Sequence, residues 1–343
     1  MPVEVLSTET PALLRAAVSR AAERLRAGEV VGVPTETVYG LAANALDPAA
    51  VARIYAIKGR PAHNPIIVHV ASPDMARACA SAWPPLADRL AAAFWPGPLT
   101  LVLPRTPGIP DIVTAGGPTV GIRWPQHPFM QGVIRACGFP LAAPSANLAN
   151  RLSPTNARHV VDQLGDQVPL VVDGGDCNVG IESTVVDLTA GVPRILRPGM
   201  IDEPALRAAS GGTAGGRGAP EPERPDDTAP RRSPGLLDRH YAPRARLAVL
   251  TWRDDAGLLT QMQRLGARPE STFVLAHHRM PQVVPPSQVI LIPDDPEAFA
   301  RALYAQLHLC DAAGAAWILV EALPDTPAWA GISDRLRRAS RPA

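Results

Sequence analysis

The sequence is short of several things, and each shortage closes a route. Only Lys58 among the 33 basic side chains is a lysine; arginine supplies the rest. No two cysteines form a C-x-x-C pair: Cys79, Cys137, Cys177 and Cys310 stand far apart, so neither a zinc ribbon nor a disulfide framework is expected. Reduced thiols, and with them a cytoplasmic protein, are the expectation. Aromatic residues are 4% of the chain, and no basic run is interleaved with them, which argues against a stacking nucleic-acid platform. No apolar run is long enough for a membrane span, and the first twenty residues lack a signal-peptide core. There is no G-x-x-x-x-G-K-[ST], no H-E-x-x-H and no G-x-S-x-G. A net charge of +1 gives no general attraction to polyanions.

What is present is an ordinary globular composition, 46% apolar and 19% charged, over 343 residues, enough for two domains. The segment 207–235 holds no Val, Leu, Ile, Met or aromatic residue. It cannot bury enough apolar area to offset its ordering entropy and is read as a linker. The expected layout is a larger domain over 1–207, a linker over 208–243 and a small domain over 244–343.

Before the linker, "TPALLRAAVSRAAERLRAG", "PAAVARIYAIKG" and "HPFMQGVIRACG" have helical patterning. They alternate irregularly with short β-branched runs: "EVVGVPT", "PIIVHV", "LTLVLP", "TVGIRWP", "PLVVDGG", "STVVDLT" and "PRILRPG". The pattern is that of an α/β or α+β sheet of mixed direction. After the linker, "RLAVLTW", "STFVLAHH", "VILIP" and "AAWILVEAL" alternate with helical stretches, so a small Rossmann-like parallel sheet is expected. No G-x-G-x-x-G follows its first strand, which leaves no dinucleotide fingerprint.

Polar clusters fall at strand ends: "VPTETVYG" (33–40), "KGRPAHNP" (58–65), "APSANLANRLSP" (143–154) and "DGGDCNVGIESTVVD" (173–187), with Arg123 in "GIRWP" and Arg197 in "ILRPG". Small hydroxyls and amides beside Gly and Ala let a ligand approach the backbone, and fixed cations neutralise phosphate. Singly, each has a plainer reading: a turn, a hairpin, a surface ion pair, or a core histidine for His69 in "IIVHV".

Taken in order, "PTETVYGLAANA", "IYAIKGRPAHNPIIVHV", "PSAN" and "GIESTVVD…ILRPG" resemble the YrdC-domain family of threonylcarbamoyl-AMP synthases. "SPGLLDRHYAP" (233–243) extends the resemblance to its long form, with a C-terminal domain. The resemblance implies the α/β class, with a twisted YrdC-like sheet around a deep basic cleft. It implies synthesis of L-threonylcarbamoyl-AMP and pyrophosphate from L-threonine, bicarbonate or CO2, and ATP with Mg2+. The product would serve a downstream tRNA threonylcarbamoyltransferase machinery that modifies position 37 of tRNA, and weak tRNA binding is allowed for. The family's K-x-R and S-x-N elements fall on Lys58, Arg60, Ser145 and Asn147, the catalytic set. The resemblance assigns Thr37, His69, Arg123, Ala143 and Ser183 to L-threonine. It assigns Lys58, Arg60, Asn64, Thr119, Ser145, Ser153, Arg197 and Tyr241 to ATP, and 233–243 to a lid. Glu36 is the acidic residue to watch as an orienting or metal-water group; no metal ligand is assigned. The competing reading is a non-catalytic RNA-binding module using the same cleft. Ala42, where the family often has glycine, and a long Gly/Pro-rich linker are the departures.

Overall fold

The computed structural model describes residues 3–212, 240–278 and 280–341. The chain divides into two compact units. The first takes residues 1–149 and 153–236, the second residues 150–152 and 237–343.

The first unit is built on ten strands: β1 (Glu4–Ser7), β2 (Val31–Val33), β3 (Gly40–Asn44), β4 (Val68–His69), β5 (Leu99–Pro104), β6 (Thr119–Arg123), β7 (Leu141–Ala142), β8 (Leu170–Asp173), β9 (Thr184–Asp187) and β10 (Arg194–Arg197). Their order is β1-β8-β2-β3-β7-β4-β6-β5-β9-β10. The direction is mixed as expected: β4 and β6 run parallel, while β7 opposes both β3 and β4. All seven β-branched runs contain strands. The sequence reading did not separate out β1, β3 and β7. Two of these are Gly- and Ala-rich or only two residues long, and such stretches carry little intrinsic strand preference.

Period-two alternation distributes side chains to two cores. Leu41 and Ala43 enter one apolar cluster, while the intervening Ala42 joins Val31 and Val33 in the other, beneath helices Pro11–Arg26 and Pro128–Cys137. The first helix starts where Thr10 accepts a hydrogen bond from the Leu13 amide. Helix Pro48–Lys58 starts on an Asp47 cap and ends at Gly59, whose φ of 58° is a left-handed stop. That stop leaves Lys58 as the last helical residue, aimed into the protein. Helix Glu203–Ala209 runs into the segment read as linker, because Asp202 caps it and Leu206 buries.

The second unit holds β11 (Arg246–Leu250), β12 (Thr272–Ala276), β13 (Val289–Leu291) and β14 (Trp317–Glu321), ordered β11-β14-β12-β13 and parallel throughout. Each expected strand is present, with helices Asp255–Leu265 and Pro296–Ala312 between them. A further helix, Ala330–Ala339, carries Asp334 against Arg335, Arg337 and Arg338. No described helix is long and apolar enough to cross a membrane.

One close approach in the first unit is demanding. A Cβ on Gly199 would lie 2.5 Å from the Thr184 amide nitrogen and 2.8 Å from the Glu182 carbonyl oxygen, both backbone. Backbone cannot swing aside as a side chain can, so Gly199→Ala is expected to cost about 1–3 kcal/mol. Urea denaturation of the variant measures this; an unchanged midpoint would show that the 182–184 segment yields.

Candidate active site

Three polar clusters form in the first unit, two beside its central strands and one beside the β9–β10 edge. The first is centred on Arg123, the last residue of β6. Its strand neighbour is His69, the last residue of β4. Arg123 Nη1 donates to Thr37 Oγ1 at 2.8 Å, Nη2 lies 2.7 Å from Glu36 Oε1, and Nε donates to the Gly97 carbonyl at 3.3 Å. Thr35 holds Thr37 in turn, with the two hydroxyl oxygens 2.9 Å apart. Arg123 and Glu36 are 4% and 5% exposed, so this is a buried ion pair. The contact is close but not aligned as a hydrogen bond, and both Glu36 oxygens keep acceptor capacity.

His69 is buried with no hydrogen-bond partner on Nδ1. Burial, and then the Arg123 charge, hold its pKa down to about 3, from an ordinary 6.5. The ring is therefore neutral at physiological pH.

The second cluster is centred on Lys58. Its Nζ donates to the Ser145 carbonyl at 2.5 Å and to the Asn147 carbonyl. Lys58 is 2% exposed, and burial, followed by the nearby Arg60 charge, pushes its pKa well down. Its backbone carbonyl accepts from the Ala149 amide, so helix end and 145–149 turn are sewn together twice. Arg60 folds back on its own loop, donating from Nε to the Asn64 carbonyl at 3.0 Å and from Nη2 to the Pro65 carbonyl at 2.6 Å. Asn64 Oδ1 is buried without a partner.

The third cluster joins β9 to β10. Arg197 donates from Nε to the Ser183 carbonyl at 3.1 Å and from Nη2 to Ser183 Oγ at 3.0 Å. Ser183 Oγ is 2.8 Å from Thr100 Oγ1 on β5. Beside it, Ser153 Oγ donates to Glu182 Oε1 at 2.5 Å.

Backbone bonds tie the clusters together. The Gly-rich loop docks on the Thr-rich one through Val179 N to Glu36 O at 2.8 Å and Gly180 N to Thr37 O at 3.1 Å. Ala146 N reaches Tyr39 O at 2.8 Å, and Ala143 N reaches Ile67 O at 3.1 Å.

Lys58, Arg60, Asn64, Thr37, His69, Arg123, Ala143, Ser145, Asn147, Ser153, Ser183 and Arg197 thus all lie in or directly beside these clusters. Thr119 opens β6 opposite Pro104, on the face of Arg123 but four residues away, roughly 13 Å along a strand. Tyr241 belongs to the second unit, where its ring lies 5.2 Å beneath the Arg335 guanidinium and 6.1 Å from Tyr304. Of the segment expected as a lid, residues 233–239 lie outside the described residues. Sequence reasoning overlooked Thr100 and Glu182. Thr100 gave no signal because it sits mid-strand in "LTLVLP", where a lone hydroxyl reads as a β-former.

Buried cations and hydroxyls gathered at adjoining strand ends of an α/β sheet have the chemistry that suits a small anionic ligand. The comparisons make this specific. Residues 23–199 match the family model described as telomere recombination, and residues 201–341 match threonylcarbamoyl-AMP synthase, C-terminal domain. The threonylcarbamoyl-AMP synthase of Pyrococcus abyssi is 38% identical, covering 93% of each chain. That of Bacillus subtilis is 37% identical, covering 98% of this chain and 94% of its own. The crystal structure of P. abyssi Sua5 complexed with L-threonine superposes with a TM-score of 0.86 at 35% identity, covering 98% of this chain and 97% of that one. The chain belongs to the threonylcarbamoyl-AMP synthase family, enzymes of nucleotidyltransferase type.

Two outcomes follow from the Arg123 cluster. Arg123→Met leaves Glu36 buried and unpaired, so it should destabilise the protein by about 3–5 kcal/mol. Arg123→Met combined with Glu36→Gln should recover much of that loss, as read by urea denaturation of both variants. Equal losses would show that the two charges are not coupled.

The second outcome concerns His69. The unfolded ring titrates near 6.5 and the folded one near 3, so the unfolded state binds more protons between those values. The stability of the neutral buried ring is complete above the unfolded value and is lost as pH falls toward the folded one. Unfolding free energy measured from pH 7 downward should therefore drop less steeply for His69→Asn than for the parent. Parallel curves would mean the ring is solvated.

Proposed function

We propose that the chain makes L-threonylcarbamoyl-AMP and pyrophosphate from L-threonine, bicarbonate or CO2, and ATP, with the three clusters as its binding and reacting groups. The observation that carries this reading is the neighbourhood of Arg123. Each of its terminal nitrogens has a second N–H beyond those directed at Thr37 and Glu36, and this pair suits a substrate carboxylate. His69 Nδ1, neutral and unpartnered, lies one strand away for the hydroxyl or amino group of threonine. Ala143 and Ser183 complete the threonine side.

The threonine amine loses a proton and adds CO2 to give a carbamate. A carbamate oxygen attacks the α-phosphorus of ATP, and the bond to pyrophosphate breaks. No covalent nucleophile from the protein is needed. The chain must hold two anions together and neutralise charge moving onto the leaving group. In its charged form, which a bound phosphate favours, Lys58 has one N–H left after its two carbonyl bonds, and this is a point donor for phosphate. Ser145 meets Lys58 directly, and Arg197 and Ser153 are assigned to ATP with it on the resemblance. Arg60 positions the 60–65 loop that presents Asn64 Oδ1, an acceptor suited to a nucleotide donor. Thr119 and Tyr241 stay assigned to ATP on the resemblance. Mg2+ takes oxygen ligands and arrives with ATP, bringing charge neutralisation for its phosphates. Glu36 fits as a protein oxygen donor, because both carboxylate oxygens lack an aligned hydrogen bond. Transfer of the product to tRNA by separate machinery and weak tRNA contact belong to the same proposal, as does a cytoplasmic setting.

Purified protein should release pyrophosphate only when threonine and bicarbonate are both present, and mass detection should find threonylcarbamoyl-AMP. An RNA-binding module would release none. Lys58→Arg should lower that rate on the order of a hundredfold, because the planar fork cannot keep both carbonyl bonds and a point contact. Threonine binding by the variant checks that it is folded. Near-parental turnover would place Lys58 outside the chemistry.

A further inference from the structure

The second unit carries a cluster that the synthesis reaction does not use. β12 and β14 are neighbours in its parallel sheet, and their carboxyl ends lead to His277–His278 and to Glu321. One imidazole nitrogen from each histidine and a Glu321 oxygen lie within 4.8 Å of one another. His277 Nε2 is 4.0 Å from Glu321 Oε2, and His278 Nδ1 is 3.5 Å from Glu321 Oε1. Asp294, two residues before helix Pro296–Ala312, faces both rings: Oδ1 is 3.1 Å from His277 Nδ1 and Oδ2 is 3.4 Å from His278 Nε2. Crevices at the carboxyl ends of parallel strands are where open α/β sheets bind ligands.

Hydrogen-bond accounting at His277 shows a conflict. Its side chain is fully buried, and both ring nitrogens face oxygen. Nδ1 faces Asp294, and Nε2 faces the Ala322 carbonyl at 3.1 Å as well as Glu321. None of these oxygens can donate when the acids are ionised. A neutral imidazole has one N–H, so one lone pair is set against oxygen. A cation between Nε2 and Glu321 removes the conflict, with Nδ1–H donating to Asp294. That is the carboxylate–histidine–metal arrangement, in which the outer carboxylate fixes the tautomer. Glu321 is itself held: its Oε2 accepts from the backbone amides of His277 at 2.8 Å and His278 at 3.1 Å. Phe299 and Trp329 flank the His277 ring, at 6.1 and 5.9 Å between centroids, giving an apolar wall. His278 is half exposed, so the cluster opens to solvent on that side.

We propose that His277, His278 and Glu321 bind a divalent transition-metal ion of the zinc class, with Asp294 as the outer partner of His277. Two imidazoles and one carboxylate suit zinc, while magnesium and calcium prefer oxygen throughout. Ligand atoms on one zinc ion lie roughly 3–4 Å apart, given metal–ligand bonds near 2 Å. The separations here need only small side-chain rotations to reach that.

The full chain, stripped with chelator, is titrated with Zn2+ by calorimetry and with Co2+ by visible absorption, without ATP. One saturable ion per chain is expected, with the Co2+ bands of a four- or five-coordinate nitrogen–oxygen site. His278→Ala should weaken Zn2+ binding at least tenfold, and Asp294→Asn, which keeps shape, should weaken it on the order of 10–100-fold. Because His278 is half exposed, its variant should melt at the parental temperature without metal. Should it fail to fold, Asp294→Asn carries the test alone. Absence of saturable binding in the parent, or equal affinity in parent and both variants, overturns the proposal and leaves a proton on His277 as the resolution.

Discussion

A guanidinium removed from water must find oxygen within the protein, and Arg123 does so three times over. Threonine hydroxyl, glutamate carboxylate and backbone carbonyl converge on it from two segments far apart in sequence, the Glu36–Thr37 loop and the turn at Gly97. The desolvation cost of such a pair is recovered only when the geometry is held. Holding it requires the 35–40 loop, the 95–99 turn and the end of β6 to keep their places. The loops accordingly dock on one another through backbone bonds instead of facing water. The site is rigid for the same reason that it is charged: any loosening exposes Glu36 or Arg123 to an unpaired burial.

Burial first, and then the Arg123 charge, keep His69 neutral. A second cation beside Arg123 would meet like charge in a buried setting, and the ring sits one hydrogen-bonded strand away. The centre of the sheet thus offers one positive group and one uncharged acceptor or donor, side by side at parallel strand ends. Under the proposed function, that pairing would distinguish a carboxylate from the rest of a small polar molecule, which two cations would not do.

Strand and helix positions were largely legible, because β-branched runs and capped apolar periodicities act locally. The four strands of the second unit could be read from "RLAVLTW", "STFVLAHH", "VILIP" and "AAWILVEAL" alone. β3 and β7 could not, since "GLAAN" and "LA" become strands only through their neighbours. In the candidate site, residues at strand ends beside glycine or proline stood out. Thr100 and Glu182 did not, because their importance lies in what they touch, Ser183 and Ser153, more than eighty and nearly thirty residues away. The pairing of His277 with Glu321 was hidden for the same reason: "AHH" reads as the polar end of a buried strand until β14 is placed beside it.

The single lysine is the case where composition and structure meet most directly. The chain meets its surface needs with arginine, so nothing on the outside selects for an ammonium. Lys58 is inside, at the end of a helix stopped by Gly59, where its tip fits between two carbonyls of one tight turn. An ammonium directs three N–H groups from one atom, and two carbonyls two residues apart can share it. A guanidinium spreads its donors across a plane several ångströms wide and cannot converge on such a turn. Geometry keeps an arginine from making this pair of bonds, whatever ligand the remaining N–H meets. The same bond fixes the 145–147 backbone, so the position of Ser145 depends on a side chain 87 residues earlier.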